Sequence, residues 1–160
     1  MKGIKWLLLT IALISLAIVL AGYFWLRLSL PQYQGEQRAA VANPVTLDRD
    51  ALGYLSVSAA DRNDAAYGMG FAHAQERFFQ MDLARRSAAG TLAELFGKRA
   101  LATDIERRRH RFAERAEATL ATFSTADVQL LSSYSRGVND GLASLTVAPF
   151  EYTLLGSQPA

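Results

Sequence analysis

The sequence predicts an α+β chain: an N-terminal transmembrane or signal helix, followed by a mostly helical segment that contains one β-hairpin. Three observations support this fold class. A long run near the N-terminus has no charged residue, apolar residues alternate on both sides of a turn near position 52, and apolar residues recur with helical spacing from about residue 64 onward. The predicted organisation is a signal anchor over residues 1–27, a linker over 28–44 and a folded segment over 45–160.

The first element is an apolar helix. Between residues 6 and 26, 18 of 21 residues are apolar and none is charged, which is long enough to cross a bilayer. Lys2 and Lys5 precede this run and would hold that end in the cytoplasm, so that the rest of the chain lies outside it. We interpret the helix as an inner-membrane anchor of a periplasmic segment. A cleaved signal peptide is the alternative, and it leads to the same compartment.

The composition excludes several classes of protein. The chain has no cysteine, so it contains neither a disulfide framework nor a metal–thiolate site. Its formal net charge of +2 comes from the residues that flank the apolar run, since 14 basic and 15 acidic residues follow Arg27. This balance argues against a nucleic-acid partner.

A β-hairpin is predicted after the linker. Apolar residues fall on one parity of two short runs: Val45, Leu47, Leu55, Val57 and Ala59. The residues between the runs predict a turn, in which Gly53 is available for a positive φ. Asp48 and Asp50 are candidates for a pair of catalytic carboxylates, but aspartates beside a turn more often accept hydrogen bonds from its backbone.

The strongest pattern predicts a helix from about residue 64 to 89. Asp61 or Asn63 can cap its start, and Gly90 can end it in the left-handed conformation. Its apolar residues form two stripes on nearly opposite sides: Tyr67, Phe71, Ala74, Phe78 and Met81, and then Met69, Ala72, Phe79 and Leu83. Because a surface helix has a single apolar stripe, this helix is predicted to be an interior layer.

Two more helices are predicted downstream. One runs from about residue 102 to 121, with these residues facing inward: Leu101, Ile105, Phe112, Ala116 and Leu120. The other begins at Ser124, whose spacing to Asp127 is that of a capping box, and ends near Gly141. Its predicted inward residues are Leu130, Leu131, Tyr134 and Val138.

Few residues are candidates for catalysis or metal binding. His73 is interpreted as a buried, hydrogen-bonded histidine rather than a base, because the sequence has no nucleophile elbow. His73 and His110 lack the spacing of a helical metal site. The basic run from Arg107 to Arg111 has acidic neighbours three and four residues away, which predicts a partly paired surface rather than a polyanion site. From the residues alone we therefore assign no catalytic, cofactor-binding or metal-binding group.

Residues 68–86, which include Ala-His-Ala-Gln-Glu-Arg-Phe-Phe-Gln-Met, strongly resemble the penicillin acylase family of N-terminal nucleophile hydrolases. Further matches occur in the same order as in the family: residues 48–53 before this stretch, and residues 90–98, 104–108, 134–139 and 151–156 after it. The resemblance extends from about Val45 to the end of the sequence. Two departures occur: Leu55-Ser56 stands where the family has proline and histidine, and Glu76 replaces an aspartate.

The resemblance implies that this chain is the N-terminal part of an α chain and forms part of a four-layer αββα sandwich. It implies a periplasmic precursor that cuts itself into α and β chains, so the β chain is an expected partner. The β chain begins with the nucleophilic serine, whose α-amino group is the base. The substrate class is an acyl amide, such as a penicillin or an acyl-homoserine lactone.

The resemblance also places the functional groups of the family outside this sequence. The nucleophile, the oxyanion-hole groups and the calcium ligands are expected downstream of residue 160. Ser157 matches a linker of the family rather than the start of the β chain. The chain alone is therefore predicted to be inactive. A second function stays open: a non-catalytic, membrane-anchored interaction protein built on a degraded acylase scaffold.

Overall fold

The computed structural model describes residues 2–159, and the side chains of residues 3–159. The elements, in chain order, are α1 (Lys2–Leu28), β1 (Thr46–Arg49), β2 (Leu55–Ser58), α2 (Arg62–Ala89), α3 (Ala93–Phe96), a 3-10 turn (Gly97–Ala100), α4 (Leu101–Arg109), α5 (Phe112–Leu120), α6 (Thr125–Ala143) and α7 (Phe150–Leu155). The chain is mostly helical with one small sheet, as the sequence predicts. The four-layer sandwich stays a prediction about a longer protein.

Helix α1 is almost entirely exposed. Its segment Gly3–Leu28 has a mean hydropathy of 2.5, and none of the apolar window is buried. Among the described helices it is the one long and apolar enough to cross a membrane. An exposed apolar helix of this kind is compatible with either a signal sequence or a membrane anchor.

The predicted hairpin is confirmed. Strands β1 and β2 are antiparallel, with Leu47 opposite Val57. The turn depends on Asp50, whose Oδ1 accepts hydrogen bonds from the backbone N–H groups of Leu52 at 2.9 Å and Tyr54 at 2.8 Å. Gly53 has a φ of 84°, in the positive range that its place in the turn predicts. The carboxylate of Asp50 therefore stabilises the turn, as predicted, and does not act as one member of a catalytic carboxylate pair.

The long helix α2 is confirmed with both of its ends. Asp61 caps the start by accepting hydrogen bonds from the N–H groups of Asn63 and Asp64, and Gly90 ends the helix with a φ of 69°. The helix is not continuous, because Arg77 has non-helical dihedral angles of −148° and 29°. The kink separates the part of α2 that contacts the hairpin from the part that contacts α7.

Helix α6 packs closely against the N-terminal half of α2. A Cβ atom on Gly137 would overlap the carbonyl oxygen of Tyr67, and one on Gly141 would overlap that of Phe71. Gly70, on α2, similarly approaches the carbonyl oxygen of Tyr134. The two helix backbones can approach this closely because all three contact positions lack a side chain. The cap at Ser124 is confirmed, with its Oγ 3.2 Å from the N–H of Asp127.

The two apolar stripes of α2 are only partly covered. Ala72 and Ala74 are both fully buried, and Phe78 packs with Leu95 and Tyr152 in the core. Met69, in the second stripe, remains 46% exposed. The described chain therefore covers both sides of α2 near its middle, while the side at Met69 is open.

Two predictions about the downstream helices are wrong. The helix predicted over residues 102–121 is two helices, α4 and α5, because Arg111 adopts a left-handed φ of 53° that no α-helix can continue through. The inward residues predicted for it are exposed: Leu101, Ile105, Phe112, Ala116 and Leu120. Leu131 of α6 is also exposed, whereas Leu130, Tyr134 and Val138 are half-buried. No described element covers the outer faces of α4 and α5.

Candidate functional site

The most buried polar group of the described chain is a cluster around Asp82. Its carboxylate accepts hydrogen bonds from Arg86 Nε at 2.8 Å, from the Tyr152 hydroxyl at 2.8 Å and from Arg85 at 2.6 Å. Arg86 also pairs with Glu94. Asp82, Arg86 and Tyr152 are each no more than 4% exposed. The cluster joins α2, α3 and α7, and we refer to these residues as the Asp82 cluster.

The electrostatics of the Asp82 cluster favour a fixed ion pair. Burial acts to raise the pKa of Asp82, but hydrogen bonds from Arg86, Tyr152 and Arg85 outweigh it and hold this pKa below its usual value. The hydrogen bond to Asp82 raises the pKa of Arg86. Burial, together with the hydrogen bond to Asp82, raises the pKa of Tyr152 above its usual value. All three groups keep their protonation state near neutral pH, so the cluster is suited to structure rather than to proton transfer.

A second carboxylate, Asp64, holds the linker against α2. Its two oxygens accept hydrogen bonds from the backbone N–H groups of Ala42 at 3.0 Å and Asn43 at 2.9 Å. The bond from Ala42 is the main cause that lowers the pKa of Asp64. Arg136, on α6, adds a bond to the carbonyl oxygen of Ala40 at 3.2 Å. The linker is therefore fixed at residues 40–43.

Two side-chain pairs connect α2 to α6. The Tyr67 hydroxyl donates to Asp140 at 2.5 Å, and burial raises the pKa of Tyr67. Nδ1 of His73 lies 3.0 Å from the Tyr134 hydroxyl. His73 is half-buried and hydrogen-bonded, close to the predicted interpretation. Its hydrogen-bond partner is a phenol, and within residues 2–159 no serine or carboxylate side chain is hydrogen-bonded to it.

The remaining candidates lie apart from one another. In the basic run, Arg109 pairs with Glu106 at 3.1 Å and Arg111 pairs with Glu114, as expected for a partly paired surface. Arg108 differs, because its Nε donates to the carbonyl oxygen of Gly90 at 2.8 Å. Nearby, the buried carboxylate of Asp104 accepts the N–H groups that begin α3.

Asp48 and Ser157 complete the set of candidates. Asp48 is exposed on β1, while the Oγ of Ser157 is buried and makes no hydrogen bond to the described residues. Within residues 2–159, no three histidine or acidic side chains group together so that they could hold a metal ion. These residues do not fit a calcium site.

A groove of about 970 Å³ separates the linker from α2. Its walls are formed by linker residues between positions 32 and 45 and by all four residues of β1, and Tyr67, Phe71 and Gln75 lie at its base. Some of the polar side chains around it are hydrogen-bonded within the described chain. Gln75 donates to Ser144 at 3.0 Å, and Arg49 Nε donates to Glu76 at 2.9 Å.

The helical spacing of Asp64, Gln75, Asp82 and Arg86 puts them on one side of α2, and all four are buried, which the apolar pattern alone does not indicate. The i,i+4 spacing of Asp82 and Arg86 signals an ion pair. No local pattern indicates Tyr152, which is 70 positions from Asp82.

Comparisons with known proteins agree with the fold. The sequence matches the Penicillin amidase family over residues 44–160. It is 36% identical over 135 residues to penicillin acylase 2 proenzyme of Pseudomonas sp. (strain SE83), and 31% identical over 142 residues to penicillin G acylase of Escherichia coli. It is 34% identical over 112 residues to acyl-homoserine lactone acylase QuiP of Pseudomonas aeruginosa. These matches cover 84%, 86% and 69% of this chain.

This chain matches only part of each of these three relatives. The matched segments cover 17%, 16% and 13% of the relatives' lengths, so the chain spans less than a fifth of the length of the curated relatives it matches. A solved structure, the thermostable penicillin G acylase from Alcaligenes faecalis, superposes with a TM-score of 0.68 at 29% identity. The match covers 75% of this chain and 66% of that one, so these two chains are of comparable length.

Proposed function

Because the chain belongs to the penicillin amidase family, we propose that it is the N-terminal part of the α chain of an acylase-type amidohydrolase. The observation that carries this proposal is the match over residues 44–160. The proposed substrate is a linear amide that joins an acyl group to an amine, because the relatives include penicillin acylases and acyl-homoserine lactone acylases.

The role that we propose for the described residues is that of a scaffold. In this proposal the nucleophile is a serine at the start of a separate β chain, and its free α-amino group is the base. An unperturbed α-amino group has a pKa of about 7.7–8.0, which is close to a working pH near neutrality. The Asp82 cluster and the pairs between α2 and α6 would hold the helices on which that chain rests. The calcium of the family would need ligands beyond residue 160.

The uncovered side chains support the proposal of a larger protein. Large apolar residues are exposed on all six described helices that follow the hairpin: Met69, Phe96, Leu101, Ile105, Phe112, Leu120, Val128, Leu131, Phe150 and Leu154. Apolar area of this extent is normally covered in a stable protein. We propose that the remainder of the same precursor covers it, since the relatives are more than five times as long as the matched segment.

The proposal assigns the N-terminal helix to the membrane. Residues 1–27 would form the anchor, residues 28–44 the linker, and residues 45–160 the first segment of the acylase in the periplasm. The exposed apolar surface of α1 supports this assignment, because that surface is stable in a bilayer and costly in water. A cleaved signal at the same helix would give a periplasmic protein without the anchor.

The experiment that tests the function uses the complete reading frame that contains this chain. The protein is expressed and purified, its chains are separated and sequenced from their N-termini, and turnover of phenylacetyl and long-chain acyl anilides is measured. We expect two chains, the second beginning with serine, and saturable hydrolysis. Ser157→Ala is the matched control and should leave both results unchanged. An uncut protein without turnover would contradict the proposal and favour a non-catalytic interaction protein.

A further inference from the structure

We infer that the surface around α4 and the start of α5 docks on the anionic lipid headgroups of the membrane in which α1 is anchored. We call it the basic surface and define it by five side chains: Lys98, Arg99, Arg107, Arg108 and Arg115. The inference rests on one part of the proposed function, the assignment of α1 to the membrane. It adds a second contact with the bilayer, which the folded segment itself makes.

The positive charge of the folded segment is concentrated in one short stretch. Residues 98–115 contain 7 basic and 3 acidic residues, so their net charge is +4. The other residues between 28 and 160 contain 7 basic and 12 acidic residues, so their net charge is −5. The two parts nearly cancel in the overall composition. A negatively charged surface would therefore attract the stretch 98–115 and repel the rest of the segment.

The basic surface is exposed and its charges are unpaired. All residues from 105 to 120 are exposed, and so are residues 96–99. Arg109 and Arg111 form ion pairs with neighbouring glutamates, whereas among residues 3–159 none of the five side chains of the basic surface forms one. Their charges are therefore available to an external anion.

The acidic residues of this stretch do not offset these charges. Glu106 and Glu114 are each paired with an arginine outside the basic surface. The carboxylate of Asp104 is buried and accepts hydrogen bonds from the N–H groups of Leu92 and Ala93. The negative charge closest to the basic surface is thus either paired or turned toward the protein.

Cover on the apolar side of α4 would leave the basic surface open. Ile105 is among the exposed apolar residues that the rest of the precursor is proposed to cover. Arg107 follows it by two positions, which is about 200° around an α-helix. A segment that packs on Ile105 therefore does not have to cover Arg107.

The layout of the charges favours a layer of lipid headgroups over a nucleic acid. The five side chains are distributed over the turn before α4, over α4 and over the first turns of α5. Residues 107–111 contain no Phe, Tyr or Trp on which a base could stack. A cluster of basic residues joined to a membrane helix is a pattern that binds anionic lipids, and each Lys or Arg near such a surface favours binding by about fivefold. The short linker between Leu28 and Ala40 keeps the basic surface near the bilayer, which raises its effective concentration there.

Photo-cross-linking of the complete polypeptide to lipid tests the docking. The protein is reconstituted through α1 into vesicles of phosphatidylcholine alone, or of equal amounts of phosphatidylcholine and phosphatidylglycerol. The photo-reactive residue p-benzoylphenylalanine replaces Thr103, which is exposed and lies one turn from Arg107 on α4. The matched position is Ser132, which is exposed on α6. We expect position 103 to capture at least about tenfold more lipid in the anionic vesicles than in the neutral ones, and position 132 to capture little in both. Equal capture from position 103 in both kinds of vesicle, or capture of a protein segment there instead of lipid, would overturn the inference.

Removal of charge identifies the residues responsible. The double variant Arg99→Gln/Arg107→Gln should lower the capture of anionic lipid by at least about tenfold, since each charge contributes about fivefold. The matched variant Arg62→Gln/Arg77→Gln removes two exposed arginines of α2 and should change this capture by less than about twofold. Equal losses in the two double variants would overturn the assignment to the basic surface.

Salt separates charge-driven docking from apolar contact. The Debye length falls from about 10 Å at 0.1 M salt to about 3 Å at 1 M, so capture from position 103 should fall at least about tenfold. Capture that persists at high salt would overturn the inference. Flotation of the vesicles at high salt reports the anchor separately. Protein that floats without charge-dependent capture contradicts only the docking, whereas protein that fails to float contradicts the anchor and the docking together. Hydrolysis is measured on the same preparation, and its absence contradicts the acylase activity alone.

Discussion

The hydroxyl of Tyr152 donates a 2.8 Å hydrogen bond to Oδ2 of Asp82, across 70 positions of sequence. Oδ2 also accepts the Nε of Arg86, so a single carboxylate oxygen joins α7 to α2. The ring of Tyr152 meets Phe79 edge-on at 5.2 Å between centroids. Tyr152 thus connects the short helix α7 to α2 through one hydrogen bond and through ring contacts with Phe78 and Phe79.

Asp82→Asn should destabilise the chain strongly. The substitution keeps the size of the side chain and removes its charge, which leaves the buried Arg86 with the largely exposed Glu94 as its remaining ion-pair partner. Breaking a buried pair in this way costs about 3–5 kcal/mol in free energy of unfolding. The measurement is urea denaturation followed by circular dichroism. Arg85→Ala is the matched control, because Arg85 binds the same carboxylate from an exposed position and should change this free energy by no more than about 1 kcal/mol. Equal losses in the two variants would contradict the structural role of the buried pair.

Tyr67 and Tyr152 should ionise only at high pH, since burial and an adjacent aspartate raise the pKa of each. An unfolded tyrosine has a pKa near 10. The folded state therefore binds these protons more tightly, and the resulting stability is present below about pH 10 and is lost as the pH rises above it. Titration of the tyrosinate absorbance should show a late phase that shrinks in Tyr67→Phe and Tyr152→Phe. An unchanged titration in both variants would argue against the buried hydroxyls.

Gly137→Ala should weaken the contact between α2 and α6. Alanine favours a helix over glycine, but its methyl group would overlap the carbonyl oxygen of Tyr67. We expect a net loss of about 1–3 kcal/mol in free energy of unfolding, the usual range for overpacking. Gly22→Ala is the matched helical control, because nothing lies within 4 Å of its added Cβ atom. A Gly137→Ala variant as stable as this control would show that the helices can separate freely.

The segment that follows α1 should be accessible from outside the cytoplasmic membrane. Protease added to spheroplasts of cells that produce this chain should digest residues 28–160, because the apolar helix would hold them on the outer side. Removing residues 2–28 provides the control, and this variant should stay in the cytoplasm, protected from the protease. Protection of the chain with α1 intact would reverse the proposed topology.

Residues 1–160 should not hydrolyse amides by themselves. The proposed nucleophile is absent from the described site, and loss of a nucleophile typically lowers the rate by a factor on the order of 10⁶. The measurement is turnover of phenylacetyl and long-chain acyl anilides by the purified chain in detergent. Saturable turnover that persists in Ser157→Ala would reveal a catalytic group among these residues and contradict the scaffold role.

Local signals predicted the ends of the elements well, because a helix cap or a turn depends on residues only a few positions apart. Asp61, Gly90 and Ser124 cap helices where the sequence placed them, and Gly53 has the positive φ that its turn requires. The break between α4 and α5 was missed, because Arg111 adopts the left-handed conformation and carries no local signal for it.

Long-range contacts were not predictable in the same way. The sequence showed that α2 has two apolar sides, yet it did not show that Tyr152 covers one of them from 70 positions away. The apolar pattern of Leu101 and Ile105 was recognised, but both residues are exposed. A helical pattern identifies a face that can be buried. Whether that face is buried depends on another segment that packs on it.

The hydrogen bonds that Asp64 accepts from Ala42 and Asn43, with the bond that Arg136 donates to Ala40, set the length of a tether. Helix α1 ends at Leu28, and the chain is fixed again at residue 40, so 11 residues, 29–39, lie between the two. Fully extended, this stretch reaches about 38 Å. With α1 in a bilayer, the folded segment would therefore be kept within this distance of the membrane surface. Replacing both Asp64 and Arg136 would remove these hydrogen bonds and lengthen the tether, without altering any residue of α1.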